Sequence, residues 1–370
     1  MNNIKLVLAA IGFLASTLAF AQQAPGQAQQ ADMRIDGTQR LVLIDGVIRE
    51  VGQGYVFPEL AKKVEAALRQ HQKNGDYNAI TSAEKFSSAL NEHMQAVTQD
   101  KHLRLFYSAD AMPEQEANRQ PSAEQRAEQR AEQRAAELAS LKAQNFGIER
   151  LERLPFNIGY FALNAFAPAR LAAESLGAAM TVLANTDALI IDLRRNGGGD
   201  PATVAMLASY FFESRERLND IYYRDGDRTE QMWSSDFVIG TRYGETKDLY
   251  ILTSQGTFSA AEDFSYAMKN IKRATVVGET TGGGAHPGDV KRLNEHFAVF
   301  VPNGRSISPI TKTDWEGTGV TPNLPSSAAD AMKTAQVAIL KKIAAAEKNA
   351  GRLARLNARL AAVEAESGVR

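Results

Sequence analysis

From Phe156 onward the chain alternates short apolar runs with helical stretches, and this rhythm limits the fold more than any other feature. Ile158 to Leu163, Ala188 to Leu193, Leu249 to Leu252 and Ala274 to Val277 are short and rich in β-formers. Between them, Ala169 to Ala184, Pro201 to Phe212 and Ala260 to Lys269 read as helices. Alternation of this kind predicts an α/β core. Upstream the pattern is different. Leu60, Val64, Ala67 and Leu68, then Phe86, Leu90 and Met94, recur at helical spacing, which predicts a helical bundle from Leu41 to Leu105. Alternating Leu103, Leu105 and Tyr107 predict a short strand at its end.

The first residues read as a leader. Lys5 precedes an apolar run from Leu6 to Phe20, and Ala19-Phe20-Ala21 supplies a small-x-small cleavage pattern. The run falls short of the roughly 20 apolar residues that span a bilayer. The expectation is a cleavable signal peptide over residues 1–21, export to the periplasm and no membrane span afterwards. A Gln-rich tether follows over 22–40, then the helical domain over 41–110, a connector over 111–143, a core over 144–325 and a helical tail over 326–370. In the connector, Ala-Glu-Gln-Arg occurs three times between Ala123 and Arg134. Its residues favour helix, yet the four-residue period stacks Glu124, Glu128 and Glu132, and Arg126, Arg130 and Arg134, as like charges costing about 0.2–0.5 kcal/mol per pair. It reads as a solvated connector helix.

Composition removes several classes of function. With 42 Lys plus Arg against 43 Asp plus Glu, there is no basic field for nucleic acid. With no cysteine, there is no disulfide, no thiolate metal site and no cysteine nucleophile. No metal or other cofactor is implied, and the oligomeric state is open.

Three segments carry chemistry. Asp187 to Pro201 runs from an apolar strand into Gly197-Gly198-Gly199, after which Asp200 and Pro201 begin a helix. The segment reads equally as a tight turn or as a nest of backbone N–H groups suited to an oxyanion; it lacks the G-K-[ST] of a phosphate loop. Leu249 to Phe264 turns at Gly256 into a helix at Ser259. A serine there is usually just an N-cap, with Glu262 completing a capping box; the functional reading is a hydroxyl presented at a helix N-terminus. Thr311 to Pro322 is a turn-rich loop that places Glu316 beside Trp315.

In this order, the segments resemble peptidase family S41, the C-terminal processing or tail-specific peptidases, and within it the branch of the interphotoreceptor retinoid-binding protein repeats and the tricorn-type core. The likeness rests on Asn145 to Ile148, Arg153 to Tyr160, Ile191 to Gly199, Thr257 to Glu262, Arg273 to Ala285 and Trp315 to Pro322, with Asp100-Lys101-His102 matching an Asp-x-His element. The resemblance implies a ββα-spiral core of the crotonase or Clp-protease type, with the helical domain closing over the cleft and delivering His102. It implies Ser259 as nucleophile, His102 as general base and Glu316 as the group orienting it, with the amides of Ala260 and of Gly197 or Gly198 as oxyanion hole. His71, His93, His286 and His296 are rival bases, His286 foremost because it follows the glycine run. The Ser–Lys members carry a lysine in a Gly-Lys-Gly turn; here that turn is Gly282-Gly283-Gly284. A serine found before the histidine in the tricorn branch is Lys101 here, and residues 109–143 are too few for the PDZ domain that many members insert. The expected function is an exported serine endopeptidase acting on peptides or unfolded proteins. The alternative is a non-catalytic carrier of retinoid-like or fatty-acid ligands.

Overall fold

The computed structural model describes residues 32–112 and 123–366. The expected signal peptide, residues 22–31 of the tether and residues 113–122 of the connector lie outside the described residues. Helices α1 (Gly37–Gly54), α2 (Pro58–Asn74) and α3 (Ala83–Thr98) lead into strand β1 (Arg104–Tyr107). Helix α4 (Ala123–Ala143) carries the Ala-Glu-Gln-Arg repeat, and β2 (Ile148–Leu154) and β3 (Ile158–Leu163) follow. The chain continues through α5 (Ala169–Leu183), β4 (Ala188–Asp192), α6 (Pro201–Ala208), β5 (Arg217–Tyr223), β6 (Arg228–Trp233), β7 (Asp248–Thr253) and α7 (Ala260–Asn270). It ends with β8 (Thr275–Gly278), β9 (Gly288–Arg292), β10 (Phe297–Pro302), β11 (Gly304–Ile307), β12 (Leu324–Pro325), α8 (Ala331–Ala346) and α9 (Ala350–Ala365).

The central sheet has the order β12-β8-β7-β4-β3-β2, with β3, β4, β7, β8 and β12 parallel and β2 antiparallel at the edge. The α/β class expected from the strand–helix rhythm is what the chain adopts, together with a helical N-terminal region. Every residue of β4 is buried because both faces of the sheet are covered. Leu189 and Ile191 pack with Leu176, Met180, Leu207, Phe264 and Met268 on the side of α5, α6 and α7. Ala188 and Ile190 point the other way, onto Ala335, Ile339, Leu356 and Val363 of α8 and α9. Each such isoleucine contributes about 1.5–3 kcal/mol of burial. The C-terminal segment is therefore the second wall of the core.

Two three-stranded antiparallel sheets, β1-β10-β9 and β11-β5-β6, complete the fold. Strand β10 adds Phe297, Val299 and Val301 to the apolar cluster formed by Leu43, Val47, Leu68, Phe86 and Leu90 of the N-terminal helices. Strand β1 pairs with β10, so the helical region shares its core with the body that follows. The segment between α3 and β1, which holds Asp100, Lys101 and His102, is thereby pinned against the rest of the molecule.

Candidate active site

The site forms where the C-terminal ends of the adjacent parallel strands β4 and β7 turn away from the sheet, the usual crevice of an open α/β sheet. The two turns are tied together. The Ser254 hydroxyl donates to the Arg194 carbonyl at 2.6 Å, the Thr257 hydroxyl to the Leu193 carbonyl at 2.8 Å, and the Phe258 amide to the Asn196 carbonyl at 3.0 Å. Asn196 is fully buried; its side chain donates to the Leu163 carbonyl and accepts from the Gly198 amide, both at 2.8 Å.

Ser259 opens α7 with φ 54° and ψ −121°, a conformation that non-glycine residues rarely hold. Strain of this kind costs about 1–3 kcal/mol and persists only where the surroundings impose it. Gly198, at φ 112°, makes the close approach: a Cβ added there would stand 2.8 Å from the Ser259 Cβ and 3.1 Å from the Ala260 nitrogen. Ala260 is the first helical residue, where no preceding turn supplies an acceptor for its amide. Of the two glycines expected near an oxyanion, Gly198 commits its amide to Asn196, while Gly197 is partly open to solvent.

Glu262 does more than cap. Its carboxylate accepts from the Ser259 amide at 2.9 Å, the Thr281 hydroxyl at 2.5 Å, and the Gly283 and Gly284 amides at 2.6 and 2.8 Å. Burial pushes this carboxyl up to about 7 against those four bonds, which favour the anion. The glycine turn is held on its other sides by the Lys101 ammonium on the Gly282 carbonyl at 2.5 Å and the Trp315 indole on the Gly284 carbonyl at 2.7 Å. Gly283 has φ 80°, and a Cβ there would meet the backbone of Gly317 and Gly319 at 3.1 Å. A side chain at the lysine position of a Gly-Lys-Gly turn would be strained and crowded here, and the cation that reaches this turn comes from Lys101.

His102 packs against this loop. A Cβ on Gly284 would lie 2.6 Å from its Cε1, and its ring centroid is 4.6 Å from that of Phe258, the neighbour of Ser259. The ring is buried, which lowers it to about 4, with Asp100 opposing and His286 adding to the effect. Its Nδ1 is buried without a hydrogen-bond partner, and so is Glu316 Oε1. Glu316 Oε2 accepts from the Ala285 amide at 2.5 Å and lies 3.5 Å from His286 Nδ1. Burial, then the charge of Asp100, pushes Glu316 up to about 8. The structure thus sets Ser259 and Ala260 against Gly198, packs His102 against Gly284 and Phe258, and sets Glu316 against His286.

His286 Nδ1 also lies 2.7 Å from Asp100 Oδ2, which accepts from the Tyr55 hydroxyl at 3.1 Å. Among the described residues, Asp100, His286 and Glu316 form the one grouping whose three ligating atoms fall within 4.8 Å of each other. The short Asp100–His286 hydrogen bond accounts for that closeness. Asn196, the fourfold role of Glu262 and the Asp100–His286 pair were not readable from sequence, because each joins residues far apart in the chain.

Peptidase family S41 matches residues 157–326, and the N-terminal domain of peptidase S41 in eukaryotic IRBP matches residues 39–146. The chain belongs to peptidase family S41. Among curated S41 relatives, carboxyl-terminal-processing peptidase 2 of Arabidopsis thaliana is 30% identical over 181 residues, covering 45% of this chain and 32% of its own. The tail-specific protease of Haemophilus influenzae is 32% identical over 104 residues, covering 26% of this chain and 13% of its own. The matched stretches thus span about a third or less of those relatives. Among solved structures, a Parabacteroides merdae protein aligns with TM-score 0.53 at 18% identity, over 80% of this chain and 92% of that one. A lipoprotein from Streptococcus agalactiae aligns with TM-score 0.52 at 13% identity, over 85% and 100%. These likenesses establish the fold. Among the described residues, no helix is long and apolar enough to cross a membrane.

Proposed function

We propose that the protein is a serine endopeptidase that hydrolyses peptides or unfolded proteins through an acyl-enzyme, with Ser259 as nucleophile, His102 as general base and Glu316 as its orienting acid. The observation that carries this reading is the strained backbone of Ser259 at the start of α7, packed against Gly198. A cap has no use for that strain; a nucleophile presented at a helix N-terminus does. The two buried orphan atoms, His102 Nδ1 and Glu316 Oε1, are the donor and acceptor that a Ser–His–Glu line pairs. That pair closes when substrate arrives, as catalytic contacts tighten in the Michaelis complex.

In the proposed cycle the Ser259 hydroxyl attacks the scissile carbonyl while His102 takes its proton. The Ala260 amide, with that of Gly197, faces the developing oxyanion; an oxyanion donor is worth about 10²–10³ in rate. His102 then returns the proton to the leaving amine, and water repeats the sequence on the acyl-enzyme. Export through the leader over residues 1–21 and action in the periplasm belong to the same proposal. They agree with the leader pattern in the sequence.

Ser259→Ala tests the reading. The variant is expected to lose hydrolysis of a labelled casein and labelling by a fluorophosphonate while keeping its thermal midpoint. Undiminished hydrolysis in that variant would falsify the assignment. Saturable binding of a fluorescent fatty acid by a wild-type chain that no fluorophosphonate labels would favour the carrier reading instead.

A further inference from the structure

We propose that His286 is a positioning residue of this site: its ring bridges Asp100 and Glu316 and supplies the positive charge that eases ionisation of Glu316 to the carboxylate His102 requires. The inference rests on the Ser259–His102–Glu316 reading.

The geometry places one imidazole between two buried acids. His286 Nδ1 is 2.7 Å from Asp100 Oδ2 and 3.5 Å from Glu316 Oε2, and the residue is 5% exposed. Phe57 packs edge-on against the ring at 5.4 Å. Asp100 is wholly buried and also binds the backbone of the base, its Oδ1 accepting from the His102 amide at 2.9 Å. Asp100 therefore braces His102 through the backbone and Glu316 through His286.

Electrostatics gives the arrangement its consequence. Burial would lower His286, but the hydrogen bond and charge of Asp100, with the charges of Glu316 and Asp314, raise it. Burial would raise Asp100, but the bond and charge of His286, then the charge of His102, lower it. Both shifts favour the charged forms, His286 as imidazolium and Asp100 as carboxylate. Glu316 feels burial and the charges of Asp100 and Asp314 pushing it toward the neutral acid, and His286 pulling it back. The Tyr55 hydroxyl, bonded to Asp100, completes the ionisable groups around the cluster. A neutral Glu316 cannot serve as the anion that stabilises an imidazolium. Without the His286 charge, Glu316 must lose its proton beside Asp100 alone, in a dry site where the repulsion is least screened.

The test is the rate of fluorophosphonate labelling of full-length protein between about pH 5 and about pH 9, where histidines and perturbed carboxylates titrate. His286→Gln keeps a donor toward Asp100 and removes the cation. It is expected to slow labelling about tenfold at neutral pH and to shift the acid limb upward by about one unit, with rates converging on wild type at the alkaline end. On casein, kcat should fall with KM unchanged. Asp100→Asn combined with His286→Gln removes the repelling charge as well, and should return the limb toward its wild-type position. Superimposable profiles, or an equal loss at every pH, would overturn the proposal. Nitrogen-15 NMR of wild type needs no variant: His286 should remain an imidazolium at about pH 7.5, above its ordinary titration, and a neutral ring there overturns the role. Wild type that is not labelled at Ser259 ends the serine reading; a labelled wild type with an unmoved limb ends only the role of His286.

Discussion

Gly198 stands so near Ser259 that a methyl group on it would lie 2.8 Å from the serine Cβ. Gly198→Ala cannot keep both φ 112° and that contact, so either the 193–198 turn or the start of α7 must move. The expected result is a loss of at least 10²-fold in fluorophosphonate labelling, the scale set by one misplaced oxyanion donor. Labelling within a few-fold of wild type would show that the contact does not hold the site in register.

The strain at Ser259 makes a prediction about stability alone. Ser259→Gly relieves a φ of 54° that Ser259→Ala retains. Although glycine loses more chain entropy on folding, the glycine variant should be about 1 kcal/mol more stable than the alanine variant, since the strain relieved is the larger quantity. Urea unfolding of the two inactive variants measures the difference, and equal midpoints would mean the serine backbone is not strained.

Glu262→Gln removes an acceptor that four donors use. An amide has one oxygen, and its NH₂ would face either the Thr281 hydroxyl and Gly283 amide or the Ser259 and Gly284 amides. Buried donors left unpaired cost about 1–3 kcal/mol, so the variant should unfold earlier and label more slowly. A thermal midpoint equal to wild type would argue that the glycine turn is held by its other contacts.

Glu316 sets the pH dependence of the resting enzyme. Its carboxyl, pushed up to about 8, is protonated below that value and becomes the required anion above it. The labelling rate should therefore climb with rising pH through neutrality and level off beyond about pH 8. Glu316→Gln, which has nothing to ionise, should be slower and should lack this limb. A wild-type profile flat across neutrality would disconnect Glu316 from the reaction.

Lys101→Met tests the cation that reaches the glycine turn. Losing its hydrogen bond to the Gly282 carbonyl should cost about 1.5–3 kcal/mol, the range for bonds to charged groups, measured by denaturant unfolding. A change below that range would place the hold on Glu262 and Trp315.

The central sheet was legible in the sequence because β3, β4, β7 and β8 are buried on both faces, and continuous burial leaves continuous apolar runs. The helices between them, and the serine at a strand-to-helix turn, followed from the same local rules. Strands β6 and β9 left little trace, since β6 is mostly exposed and both run polar, so their pairing satisfies backbone groups without an apolar face to announce it. The expectation of Glu316 beside His102 came from likeness. Only packing could decide that Glu316 meets His286, that Asp100 braces both, and that Lys101 reaches the glycine turn. Those contacts link residues up to 186 positions apart. Local sequence records what a segment prefers, whereas a buried charge is settled by whichever distant groups the fold brings within reach of it.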